Sequence, residues 1–185
     1  HLNGDIKLDA RGEKPRYTLK NKLTAFQFGG FLQDFMQEEP VSGQANLDIS
    51  ATTGGEWLSK LKSNLNGQLA VSVKDGAISG FNLRQEIDKA KAGLRGEKLT
   101  DRTVEKTDFS AMSLSGVIKN GVFSSNDLNL QAPVLRVGGS GSVNLVDEVL
   151  DYLVKAKLVG TTKAQGAGTV DDTSGLLVPV KISGS

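Results

Sequence analysis

Apolar and polar residues alternate along most of the chain. Over residues 65–83, Leu69, Val71 and Val73 alternate with Gln68, Ala70, Ser72 and Lys74. A period of two marks a strand with one dry face and one wet face. Asp75-Gly76 then predicts a tight turn, after which Ile78 returns along a partner strand. Residues 3–10 show the same alternation, Ile6, Leu8 and Ala10 against Asp5, Lys7 and Asp9. So do residues 41–51, with Ala45, Leu47, Ile49 and Ala51 on one face. Tyr17, Leu19, Leu23, Ala25 and Phe26 predict a strand with a defect near Asn21. Further strands are predicted over residues 114–118, from Val122 through Leu128, Leu130 and Ala132, and through Leu135, Val137, Val143 and Leu145. Asn120-Gly121 predicts a hairpin turn. Residues 146–158 fit a helix at Val146, Val149, Leu150 and Leu153. They fit a strand at Leu150, Tyr152, Val154, Ala156 and Leu158, and five alternating positions favour the strand. Residues 176–182 form the last strand; Pro133 is placed at a strand end or edge, and Pro179 at an edge.

Three segments change period. Phe28, Phe31, Leu32, Phe35 and Met36 share one helical face, and Pro40 stops that helix. Trp57, Leu58, Leu61 and Leu65 predict a short second helix. Asn82 caps a third, with Gln85 reaching back and Leu83, Ile87, Ala90 and Leu94 as its stripe. Residues 96–108 and 160–175 are polar and aperiodic and read as mobile loops. Asn3-Gly4, Ser42-Gly43 and Asn66-Gly67 each precede a strand pattern, a weak internal repeat. The expected fold is α+β and β-dominated: a mostly antiparallel twisted sheet or groove of repeated strands, with about three short helices packed on it, in one unit over residues 1–185.

Composition narrows the function classes. The 185 residues carry 22 Lys and Arg against 21 Asp and Glu, a net charge of +1. The basic residues form no stripe interleaved with aromatics, so no nucleic-acid partner is expected. There is no cysteine, which removes disulfides and thiolate metal sites. No apolar run approaches a membrane span of ~18 residues. The chain opens at His1 rather than Met and reads as a piece of a longer protein.

Catalysis has little to build on. His1 is the only histidine, so most nucleophile–base pairs cannot be assembled. Glu38-Glu39 and Asp171-Asp172 read as solvated turn acids. Gly139-Ser140-Gly141 lacks the third glycine and helix of a dinucleotide fingerprint, and reads as glycines that permit a twist or bulge. Lys89, Lys91, Arg95 and Lys98 are a solvated helix face or a contact for anionic headgroups. No enzyme activity, cofactor or metal is expected. What remains is the quantity of half-apolar strand. Those dry faces must be covered by helices, by another layer, or by a hydrophobic ligand. Leu69, Val71, Val73 and Ile78 are the candidate lining residues.

The order of these motifs resembles the C-terminal region of the AsmA family of bacterial envelope proteins. The resemblance is carried by residues 65–67 with 75–83 (DGAISGFNL), residues 107–110 (TDFS), 120–122 and 126–128, then 135–145 (LRVGGSGSVNL) and Leu150-Asp151-Tyr152. It covers roughly residues 40–183; residues 1–39 are less diagnostic. It implies a Gram-negative periplasmic domain whose parent is anchored in the inner membrane by a segment outside this fragment. It further implies a part in outer-membrane biogenesis, an apolar β-groove for phospholipid acyl chains, and no catalytic motif. The alternative is a structural or assembly module that contacts envelope proteins, with its dry faces packed on themselves.

Overall fold

The computed structural model describes residues 1–37, 40–80, 106–133, 135–159 and 177–184. Nine strands form one sheet in the order of the sequence. They are β1 (Leu2–Asp9), β2 (Arg16–Gln27), β3 (Val41–Gly54), β4 (Asn66–Ser79), β5 (Lys106–Lys119), β6 (Val122–Ala132), β7 (Leu135–Asn144), β8 (Val149–Leu158) and β9 (Leu177–Gly184). Every neighbouring pair is antiparallel. Two helices interrupt the meander, α1 (Phe28–Met36) and α2 (Leu58–Ser63). The predicted third helix, from Asn82 to Leu94, lies outside the described residues, so the described chain has two helices rather than about three.

The register turns alternation along each strand into continuity across the sheet. Phe26, Ala45, Val73, Met112, Leu130, Val137 and Ala156 lie side by side on seven consecutive strands. Leu23, Leu47, Val71 and Leu114 form a parallel row. The polar residues form matching rows on the other face, such as Gln44, Lys74, Ala111, Gln131, Arg136 and Lys157. A one-residue slip in any strand would turn its apolar set to the wet face.

Three strands carry one extra residue against a neighbour. The β2–β3 register shifts between Leu23 and Phe26, where Ala25 has φ 52° and donates its N–H to the Asn46 Oδ1 at 3.0 Å. The defect predicted near Asn21 thus falls a few residues further on: Asn21 itself pairs regularly with Gly4 and Ile49. The β3–β4 register shifts opposite Asp75, φ 49°. The β6 register shifts between Ser125 and Leu128. Such bulges bend a strand and increase its twist.

Asp75-Gly76 therefore makes no hairpin. β4 continues through it, and Ile78 pairs with Val41 of β3 and Thr107 of β5. A left-handed residue suits a hairpin or a bulge equally well. Here strands on both sides hold β4 straight on, and the bulge lets Val73 and Ile78, five positions apart, join the same apolar cluster. Asn120-Gly121 does form the predicted turn, with φ 49° and 80°, the pair of positive values a two-residue hairpin favours. Residues 146–158 resolve into a turn and then strand β8. β5 begins at Lys106, inside the stretch 96–108 expected to be a loop. Residues 96–105 and the expected loop at 160–175 lie outside the described residues. The three Asn/Ser-Gly sites each fall within the first three residues of a strand, and a Cβ at Gly4, Gly43 or Gly67 would press on the neighbouring strand. Gly4 lies within β1 opposite Asn21, Gly43 sits at the β3–β4 register shift, and Gly67 lies near the start of β4.

Candidate functional site: the apolar face of the sheet

The apolar face divides into a closed part and an open part. Where β2 leads into α1, Ala45 and Val73 have no exposed surface, and Leu135, Phe109, Leu130 and Ala132 are nearly as dry. Phe26, Phe28, Val41, Ile78 and Met112 pack against them. Phe26 meets the Phe28 and Phe31 rings edge-on, at centroid distances of 6.1 and 5.6 Å. These edge-to-face contacts seat α1 on the strand ends.

Further along the strands no such cover is described. Leu47, Ile49, Leu69, Val71, Leu114, Leu128 and Val154 are half-buried. They have sheet neighbours on either side and keep part of their surface exposed among the described residues. Of the four predicted lining residues, the structure brings Leu69 and Val71 together on this strip, with Gly116 and Leu114 beside them on β5. Val73 lies in the closed part and is fully buried, and half-buried Ile78 packs against the same cluster. Leu47, Ile49, Leu114, Leu128 and Val154 belong to the strip but were not singled out. Their alternation was legible; their register was not.

Two polar devices shape the face. Tyr152 of β8 lies across Gly139 and Gly141 of β7, where a Cβ would collide with its ring. The glycines of 139–141 thus make room for an aromatic; the bulge expected of them lies one strand away, in β6. The Tyr152 hydroxyl donates to the Ser125 Oγ at 3.2 Å, and the Ser125 hydroxyl donates to Asp127 Oδ1 at 3.1 Å. Asp127 also accepts from the Ser115 hydroxyl and, at 2.8 Å, from its N–H. The carboxylate thereby clamps the β6 bulge to β5. These bonds, that of the Ser115 hydroxyl foremost, hold the Asp127 carboxyl below its ordinary value. At the far end of the strands, Lys62 of α2 pairs with Glu148 of the β7–β8 turn at 2.7 Å, which lowers the Glu148 carboxyl.

The remaining candidates bring no chemistry together. His1 donates its terminal ammonium to the Thr24 carbonyl at 2.7 Å. Glu38, Glu39, Lys89, Lys91, Arg95, Lys98, Asp171 and Asp172 lie outside the described residues. Among the described residues no three His, Cys, Asp or Glu side chains could hold a metal, and no helix is long and apolar enough to cross a membrane.

The described residues thus form a meandering antiparallel open sheet with one apolar face, dry at one rim and half-buried along its middle. The chain belongs to the AsmA family, whose model matches residues 1–128. That match includes residues 1–39, which carried none of the motifs behind the resemblance. Protein AsmA of Escherichia coli (strain K12) is 25% identical over 179 residues, which are 96% of this chain and 29% of that protein. The chain spans less than a third of the length of this curated relative. No solved structure matches it.

Proposed function

We propose that this chain is a non-catalytic phospholipid-binding segment of an envelope protein, holding acyl chains against the strip of Leu47, Ile49, Leu69, Val71 and Leu114. The observation that carries it is the half-buried apolar row running across consecutive strands without a break. Each methylene removed from water there contributes about 0.8 kcal/mol, so most of an acyl chain must lie on the strip to offset the cost of association. The headgroup stays wet at the rim. Family membership supports placing the parent in the periplasm of a Gram-negative bacterium, anchored in the inner membrane and serving outer-membrane biogenesis. Photoreactive residues at Leu69 and Val71 should capture phospholipid in cells. The same probe at Gln68 or Ala70, on the wet face, should not. Equal capture, or none, at the two faces rejects the reading.

One observation favours the second reading, an assembly module. Strand β1 is exposed along its whole length, with Leu2, Ile6 and Leu8 more than half exposed. The second reading pairs this outermost strand of the described sheet with a strand from another envelope protein. Crosslinks from Ile6 to protein, with none to lipid at Leu69, would favour this reading over the first.

A further inference from the structure

A second concavity lies where β2, β3 and β4 meet α2. It is an open depression of about 400 Å³ lined by Lys14, Arg16, Thr52, Thr53, Asn64 and Asn66, with backbone from Pro15 and Gly54. No carboxylate lines it. Several of its polar groups are committed to building it. Thr53 donates to the Leu61 carbonyl at 2.6 Å, Asn64 to the Gly54 carbonyl at 2.7 Å, and Asn66 to the Asn64 carbonyl at 2.9 Å. The side chains of Lys14, Arg16 and Thr52 have no hydrogen bond or ion pair among the described residues. Asp9, the cross-strand neighbour of Arg16, is engaged by Arg11 at 3.0 Å and reaches Arg16 only through longer-range attraction. Two cations and a hydroxyl thus face one concavity with their donors uncommitted, a donor set suited to a phosphate.

The adjoining element is anomalous in a complementary way. Helix α2 buries none of its residues, and Trp57 and Leu58 at its entry are 72% and 70% exposed. The helix is nonetheless tied to the depression, because its Leu61 carbonyl accepts from Thr53 and its C-cap Asn64 donates to the Gly54 carbonyl. A cationic pocket beside an exposed tryptophan and leucine matches a ligand that is anionic at one end and apolar at the other.

We propose that Lys14, Arg16 and Thr52 bind the phosphate of a phospholipid headgroup, with Trp57 and Leu58 contacting its apolar part. This rests on the phospholipid reading only for the source of the phosphate, and it is a site separate from the groove strip.

Trp57 is the only tryptophan, so its fluorescence reports on this site alone. Amide NMR shifts of the 185-residue chain are followed at low salt during titration with inorganic phosphate and, separately, with dihexanoyl phosphatidylglycerol. Both ligands should shift the amides of Arg16, Thr52 and Gly55, and the lipid should bind more tightly and move the Trp57 emission to the blue. The shifts should fade near 1 M salt, where the screening length is about 3 Å. The double variant Lys14→Gln, Arg16→Gln should lose roughly tenfold or more in affinity for both ligands, with its thermal melt unchanged. Trp57→Ala should lose only the preference for lipid. Shifts with phosphate but no tighter binding and no Trp57 response with lipid overturn the lipid source and keep the phosphate site. No shift with either ligand, or shifts that persist at high salt, overturn the site itself. Capture of lipid at Leu69 is independent of all these outcomes, so failure of the groove and failure of the pocket are told apart.

Discussion

The two ends of one apolar face behave differently although the strands that build them are the same. Near α1, Ala45, Val73, Phe109 and Leu135 are dry. Two to four residues away along those strands, Leu47, Leu69 and Val71 are only half-buried. Hydrophobicity does not separate the regions, since Val71 and Val73 are the same residue type. What separates them is the packing that the described residues provide around them. α1 with Phe26 and Phe28, and the bulge at Asp75 that brings Ile78 into the cluster, provide it at one rim. The closed region therefore carries stability, and the strip leaves part of its apolar area exposed.

The largest test is Phe109→Ala. It should cost about 3–5 kcal/mol by the loss of a large buried ring, read as a lowered denaturant midpoint. A loss under about 1 kcal/mol would mean that the rim is not the core. Gly76→Ala comes next, because its Cβ would meet the Phe109 ring and the Ser42 carbonyl. The expected loss is about 1–3 kcal/mol. Leu69→Ser sharpens the contrast from the other side. At a half-exposed position it should cost about 1 kcal/mol, yet abolish lipid capture at neighbouring Val71.

Asp127→Ala should cost about 1 kcal/mol by freeing the β6 bulge, discounted because the carboxylate is mostly solvated. Its folded-state pKa is depressed, so its contribution is present above the ordinary carboxylate range and is lost as pH falls through the folded value. The variant and the parent should therefore converge in acid; a gap that is constant down to low pH would contradict the clamp. Lys62→Ala, which removes the exposed partner of Glu148, should leave the melting temperature unchanged at moderate salt, and a clear drop would show that the α2 rim is a structural support.

The alternation made the strand content, the dry face and the Asn120-Gly121 hairpin legible, because each is decided within a few residues. Asp75-Gly76 misled for the same reason. Its local chemistry permits a turn or a bulge, and only the strands on either side choose. The residues of the open strip could be named one strand at a time but not joined, since joining them needs the registers across the Ala25, Asp75 and Asp127 bulges. The cationic depression was out of reach, because Lys14, Arg16, Thr52 and Asn64 are scattered over 50 positions.

The sequence by itself determined that this protein is a β-sheet with one face averse to water, without thiols and with a single terminal histidine. It also placed the chain within its family, because ordered turn and strand motifs survive as local patterns. Only the tertiary structure decided which part of that face is closed and which is open. Burial depends on what packs around a residue, and neither the cluster that buries Val73 nor the partial exposure of Val71 is encoded in the alternation that makes the two residues look alike.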